Sequence, residues 1–559
     1  MKKIIVTVLL IVSFFFAKGA DKFVSVSGSG NRDGTTPSNS WTWAEGISQA
    51  RAGDHVYVLA GNYGRQLVTQ SADGTENNRI IFEGYTTTIG DIQPIEQTFT
   101  HEGRTYTFWS NFTRGEDPDG TKSPLFDGGN GNIAGTSLSA QGDYVSYINL
   151  SFKHFRYGVI TSGSNVIFHN AYVVEMGNVE ANHNEVTYIE GGFGMRFDNG
   201  GNWTVSRSYI RDCGSENITM ASGTGNLMDQ VFVESLGTQR GFDNSSDYYM
   251  SFAGTVSYSE MRDCVVYREK TNGHGGHGID MKGASHHNEI NNCWVINTYM
   301  EVIGTQSAYN VFTGGGIISG WYPNFQSGTE YGNIFAASGA HHNTFQNMEL
   351  YGDFSPIRLR IYSDPSLGGN QGWNIHDNKF LNLVIRNSNN AIGFFESATF
   401  TGVGVYDNIF DGITIINDNP SGSLIRQNQP NQNNSFTNII AHNVSTLTSG
   451  TQATLNTNTV FDRINLSGGS FAASALTPYT ESNITEFDVT FDSQFKPTSG
   501  NMNIGLINSE NPNDWDGNLR NNPNTLGAFD LDNAGTTGTP TTGTPTSGFT
   551  ESILNFFVE

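Results

Sequence analysis

From about residue 165 the chain alternates short apolar runs with Asn, Asp and Gly in a recurring unit, Asn-x-apolar-x-(Asn or Asp)-x-x-apolar. It reads plainly at Asn288-Glu289-Ile290-Asn291-Asn292-Cys293-Trp294-Val295 and returns at Asn343, Asn378, Asn408, Asn434 and Asn458. These starts lie 55, 35, 30, 26 and 24 residues apart, and a weaker copy at Asn310-Val311-Phe312 divides the first gap. Earlier copies surround Tyr172, Tyr209, Phe232 and Val265. A unit of this length, built from short strands and turns without helices, is the pattern of a solenoid in which each copy makes one coil. Alternate apolar residues then point into a shared core. The recurring Asn fits a ladder at a turn, its side chain bonding the backbone of the next coil. The Leu spacing of leucine-rich repeats is absent, and no Trp-Asp or kelch-like signature supports a propeller. The pattern therefore predicts an all-β chain, a right-handed parallel β-helix solenoid of about a dozen coils.

The two ends read differently. Met1-Lys2-Lys3, an apolar run from Ile4 to Ala17 and small residues to Ala20 have the form of a secretory signal peptide over 1–20. That run is short for a membrane span, which takes about 20 apolar residues, so a secreted, extracellular or periplasmic protein without a membrane span is expected. Phe23-Val24-Ser25-Val26 alternates as a strand. Residues 40–50 carry helix spacing with Ser40 or Thr42 as cap, a short N-terminal capping helix, and Asp54 to Gly61 reads as a buried strand. The β-helix is expected over 21–532, a Gly/Thr/Pro linker over 533–548, and a short C-terminal tail over 549–559.

Charge narrows the function. Against 29 Lys+Arg stand 53 Asp+Glu, a net charge of −24. Loss of Lys2, Lys3 and Lys18 with the leader takes this to −27. Such a surface excludes a nucleic-acid partner, which needs a basic face. Three Cys make no disulfide framework. Cys213, Cys264 and Cys293 occupy one place in the repeat and are expected inward, reduced and stacked.

The most distinctive stretch runs from His274 through His277-Gly278-Ile279-Asp280-Met281-Lys282-Gly283 to His286-His287-Asn288. Strand alternation sends Ile279 and Met281 inward and Asp280 and Lys282 outward. Aligned on the following Asn, the neighbouring coils add Arg196, Asp198, Glu301, Arg358, Arg360, Glu396 and Arg426 to one outer sheet. Coils stack about 4.8 Å apart, close to the repeat of a sugar chain, and a charged ladder of this kind suits an acidic polysaccharide. Charged outer positions also serve solubility alone. The recurrence of His-His-Asn at 286–288 and 341–343 assigns those histidines to turn structure, whereas His277 stands beside Lys282 as a proton carrier.

The opening, from Phe23 through Trp43-Ala44-Glu45 to Gly53-Asp54-His55-Val56-Tyr57-Val58-Leu59-Ala60-Gly61-Asn62-Tyr63, resembles that of secreted bacterial β-helix proteins. So does Asp516-Gly517-Asn518-Leu519-Arg520 with Leu526-Gly527-Ala528-Phe529 near the end. With the repeats, the chain resembles the pectate-lyase-like superfamily, and within it the alginate- and pectate-cleaving polysaccharide lyases. The resemblance implies β-elimination on a uronate-containing glycan with an outer-sheet Lys as base, here Lys282, whose pKa is lowered by desolvation. It implies Arg or Ca2+ as partner of the substrate carboxylate. Asp280 and His277 complete the catalytic group; Arg196, Arg240, Glu301, Arg358 and Arg360 are the expected substrate contacts. Asp198, Asp243 and Asp247, with Asp280, are the residues from which a Ca2+ cluster would be drawn. One departure stands out: the coil after Lys282 reads Met300-Glu301-Val302-Ile303, without the Arg-His pair of the alginate-cleaving group, and Arg358 and Arg360 lie about three coils away. Two other classes fit the same residues. A glycoside hydrolase would use a carboxylate pair from Asp198, Asp280 and Glu301, and a carbohydrate-binding or adhesin solenoid would bind without turnover. A monomer is expected in each case.

Overall fold

A computed structural model describes residues 19–129, 135–177, 192–236, 248–269, 276–304, 306–318, 334–352, 355–361, 373–396, 403–427 and 431–449, short stretches at 456–457, 459–467, 479–482, 490–491 and 497–499, and Asp514. The apolar leader to residue 18, the 533–548 linker and the 549–559 tail lie outside the described residues. No helix among the described residues is long and apolar enough to cross a membrane.

The N-terminal elements form as their local sequence directs. Thr42 closes a capping box over the helix Trp43–Gln49: its hydroxyl accepts from the Glu45 amide at 3.4 Å, and the Glu45 carboxylate accepts from the Thr42 amide at 2.8 Å. The helix buries Trp43 and Ile47. The Trp43 ring lies 5.5 Å from Phe82 and 4.7 Å from Phe126, so the helix plugs the open end of the core. Asp21–Val24 pairs in parallel with His55–Leu59, which starts the ladder.

Thereafter the chain winds through three short strands per coil, each paired in parallel with its counterpart on the next coil. Together they form one continuous 39-stranded sheet, the parallel β-helix that the repeat predicts. The core is a stack. Phe312, Phe345, Phe380, Phe410 and Phe436 occupy one position on successive coils, with ring centroids 4.6 to 5.1 Å apart. At the turn before this strand runs the Asn ladder of Asn288, Asn310, Asn343, Asn378, Asn408 and Asn434, all fully buried. Each of the first five donates its backbone amide and its Nδ2 to the Oδ1 of the next, at 2.9 to 3.2 Å. Buried amides at every turn are satisfied this way, which is why the repeat keeps Asn. The residue before each rung holds a positive φ, among them His287 at 56°, His342 at 56° and Asp377 at 54°. The three cysteines are buried and free, and each thiol lies against the carbonyl two residues earlier, as their shared place in the repeat requires.

One outer face is covered. A hairpin, Ile95–His101 with Arg104–Ser110, is antiparallel, a departure from the all-parallel coil expected over 21–532. It lays Phe99, Tyr106 and Phe108 over Tyr172, Tyr209, Phe232, Tyr267 and Trp294, and Arg114 reaches the buried Glu234 at 2.7 Å. The face that starts each coil, including His277–Lys282, carries no such strap among the described residues.

Candidate functional site

His277–Lys282 lies between Tyr248–Phe252 and Tyr299–Ile303. Ile279 and Met281 are fully buried in the core, as alternation requires. The outer column is also as expected: Arg196 pairs in register with Thr219, then Ser251, Asp280, Glu301, Phe335, Arg358, Gly393 and Arg426. A register shift between His277 and Ile279 interrupts the strand. Gly278 makes it: a Cβ there would stand 2.5 Å from Val295 and 2.8 Å from Thr298. The shift brings His277 onto the same side as Asp280.

The result is a compact charged group. His277 Nδ1 lies 2.6 Å from Glu301 and 3.4 Å from Asp280. The ring is held between Tyr248 and Tyr299, each with its centroid 4.9 Å away. Lys282 Nζ donates to the Tyr248 hydroxyl at 2.5 Å and sits 4.7 Å from that ring's centre. Ser251 donates to Asp280 at 3.4 Å. Burial works against the imidazolium, but Glu301 and then Asp280 outweigh it and push the His277 pKa up to about 10. Burial likewise opposes the Lys282 ammonium, yet Asp280 and Tyr248 raise its pKa above the ordinary lysine value. Burial, with Asp280 adding to it, raises the Tyr248 phenol. Burial also raises Glu301, against the pull of His277.

Several expectations change. The pKa of Lys282 is raised rather than lowered, because a carboxylate and a phenol outweigh its desolvation. Asp280 and Glu301 are 0% and 3% exposed, so they lie beneath the surface. Glu301 meets His277 and offers no open face to a substrate; the groups of this cluster that remain partly exposed are His277, Lys282 and Tyr248. Arg358 is buried, and Arg360 is half-buried. Both stand three coils from the Lys282 strand, as the spacing implied. Arg196 lies on the column but is engaged by Asp198 at 2.9 Å and Glu216 at 3.8 Å, so Asp198 serves an ion pair rather than a metal. Arg240, Asp243 and Asp247 fall outside the described residues. Tyr248 was not foreseen: a Tyr opening a strand reads as core, and only the register opposite His277 marks it out.

No family model matches the chain, and no curated protein does. Among solved structures it is similar to a pectate lyase at 11% identity, covering 92% of this chain and 97% of that one with a TM-score of 0.34. It is similar to an alginate lyase in complex with G6 at 12% identity, 81% and 87% coverage and a TM-score of 0.45. A third is the A-module of the Azotobacter vinelandii mannuronan C-5 epimerase, at 11% identity, 82% and 100% coverage and a TM-score of 0.40. The likeness is one of fold. The β-helix of this chain rests on its own strand pairing, and its site must be judged on its own residues.

Ca2+ is the ion the resemblance implies. It takes six to eight oxygen ligands. The candidate group at this strand is one imidazole nitrogen with two carboxylates, His277, Asp280 and Glu301, all donor atoms within 4.8 Å of one another. The charged imidazole ring already occupies the position between the carboxylates that a cation would take. This group therefore does not by itself make a Ca2+ shell.

Proposed function

We propose that this chain is an exported polysaccharide lyase that cleaves a uronate-containing glycan by β-elimination along the face of the coils that carries His277–Lys282. The observation that carries the reading is a histidine and a lysine, His277 and Lys282, set beside a buried carboxylate pair, with the Tyr248 phenol bonded to the lysine. Strongly perturbed groups gathered on an outer face are the mark of a working site rather than a solubility ladder.

The chemistry follows from the charges. The His277 imidazolium neutralises the substrate carboxylate and so acidifies the neighbouring C5 proton. Neutral Lys282 takes that proton. The electron pair forms the C4=C5 double bond as the C4–O4 bond breaks, and the Tyr248 phenol, kept protonated by burial, gives its proton to O4. The ammonium of Lys282 then returns a proton to the tyrosinate across their 2.5 Å contact, and the pair is reset. Because the Lys282 pKa is raised, kcat/KM rises with pH through the alkaline range. The rise levels off near pH 10, where His277 begins to lose its charge while neutral Lys282 is still being gained.

The test is ultraviolet absorbance of unsaturated uronate when the mature chain is incubated with alginate, pectate, rhamnogalacturonan and sulfated uronans. A rise with an alkaline optimum, lost by on the order of 10²–10⁴-fold in Lys282→Ala with the fold intact, supports the reading. Full activity in Lys282→Ala overturns it. New reducing ends without unsaturation select a hydrolase using Asp280 and Glu301. Binding without turnover selects an adhesin-like solenoid.

A further inference from the structure

The turn that carries the Asn ladder also carries histidines. His286 and His287 face each other through their Nδ1 atoms at 2.9 Å, and His341 and His342 do so at 2.8 Å. Up to this point the two pairs are equivalent turn structure, as their repetition implied. They differ on the next coil. Beyond the first pair stand Ala308 and Tyr309, which offer no metal ligand of the imidazole or carboxylate type. Beyond the second stand His376 and Asp377.

Backbone geometry makes the second arrangement rigid. His341 bridges His376 in parallel, and the His342 amide donates to the His376 carbonyl at 3.2 Å. His342 and Asp377 share the positive-φ turn position on successive coils, so their side chains leave the turn side by side. The His341 and His376 rings stack at 5.0 Å, only 2° from parallel. His342 is braced by the Tyr309 ring at 4.8 Å. Its Nδ1 faces His341, which turns Nε2 toward Asp377.

We propose that His342 Nε2, His376 Nδ1 and the Asp377 carboxylate hold one divalent transition-metal ion of the Zn2+ class, which clamps two successive coils. The three donor atoms lie within 4.8 Å of one another. A tetrahedral shell with Zn–N and Zn–O bonds of about 2.0–2.2 Å places its ligand atoms about 3.3–3.6 Å apart. The existing separations from Asp377 Oδ2, 2.7 Å to His376 and 3.8 Å to His342, bracket that range, so small side-chain rotations complete the shell. Two imidazoles with one carboxylate select borderline metals over Ca2+ or Mg2+. His342 and Asp377 are 38% and 43% exposed, which leaves the fourth position to water. The contact between the His341 and His342 rings supplies the outer-shell orientation that metal-binding imidazoles need. A cavity of about 240 Å³ lined by Gly339, His341, Trp373, Asn374 and His376 adjoins the site and gives the ion a path.

The experiment is calorimetric titration of the untagged, chelator-stripped chain with ZnCl2, read as the number of sites and their affinity. Wild type is expected to show one Zn2+ site that is absent, or weakened at least tenfold, in His376→Ala and in Asp377→Asn. The second variant keeps side-chain size and covers any disturbance of the turn by the first. His286→Ala, at the equivalent turn without a third donor, is expected to bind as wild type does. The same Zn2+ should raise the thermal midpoint of wild type and leave that of His376→Ala unmoved. Equal stoichiometry and affinity in wild type, His376→Ala and Asp377→Asn overturns the proposal, and so does a titration without any site.

Discussion

Two columns of residues run along the same coils with the same rung spacing, and they are built on opposite principles. In the Asn ladder every rung from Asn288 to Asn434 is the same residue, is fully buried and meets its neighbours in the same way. In the outer column from Arg196 to Arg426 the rungs vary, from Arg to Phe335 and Gly393, and an acidic residue repeats once, at Asp280 and Glu301. That one repetition sets two carboxylates side by side on adjacent strands, a costly arrangement unless a cation joins them. His277 is that cation, and the register shift at Gly278 brings it there. Uniform rungs solve a problem that every coil has, the unpaired amides of a buried turn. A rung that breaks uniformity and then needs compensation serves something other than the fold.

The ladder is the place to break this contrast hardest. Asn343→Leu keeps side-chain size but removes the oxygen that accepts from both the Asn310 amide and the Asn310 side chain. Two buried donors are then stranded, and the cost is expected at about 3 kcal/mol. Urea unfolding should show it as a lower midpoint, with the activity proposed above retained by the folded fraction because the outer column is untouched. A loss under about 0.5 kcal/mol, within the range of an ordinary surface change, would mean that the ladder is decorative.

The same contrast explains what was legible in the sequence. Repetition is visible without a structure, so the coils, the inward cysteines, the capping helix and the outer column could be read from spacing alone. What could not be read depends on single departures. The register shift at Gly278 rotates His277 onto the Asp280 side, and alternation by itself does not show that. Burial of Asp280 and Glu301 goes with the His277 ring that contacts both and is itself held between Tyr248 and Tyr299, a matter of side-chain volume rather than period. The raised pKa of Lys282 follows in turn, since the sign of the shift depends on whether Asp280 and Tyr248 outweigh desolvation. The antiparallel hairpin lies outside the repeat altogether.

A smaller effect sharpens the electrostatic half. The folded-state pKa of His277 lies near 10, above its ordinary value of 6.5. A group whose pKa is raised on folding binds its proton more tightly in the native state. Its stabilisation is fully present below about pH 6.5 and is lost as pH rises toward 10. Glu301→Gln removes the larger of the two charges that hold this proton. Between pH 6.5 and 10 the unfolding midpoint of wild type should therefore fall with a steeper slope than that of Glu301→Gln. Parallel slopes would show that the carboxylate pair does not grip the imidazolium, and the cationic rim assigned to the site would lose its foundation.

The smallest expected effect lies where the ladder itself departs from Asn. Ser259 takes the rung between Asn226 and Asn288: its Oγ accepts from the Asn226 amide at 3.0 Å, and its own amide donates to Asn288 Oδ1 at 3.0 Å. The hydroxyl also donates to the Ser257 carbonyl at 3.0 Å, so each polar atom of this rung is satisfied without a carboxamide. Ser259→Asn offers an oxygen for the same amide and an Nδ2 for Asn288 Oδ1, the contact the next five rungs make. It gives up the bond to Ser257 and must fit a longer side chain into a site only 3% exposed. Gain and loss are each about one hydrogen bond, so the change in stability should stay within about 1 kcal/mol in either direction. A loss beyond about 3 kcal/mol would mean overpacking. Ser259 would then be fitted to its own coil, which leads directly into the His277–Lys282 strand, and the line drawn between uniform and tailored rungs would have to move one coil closer to the site.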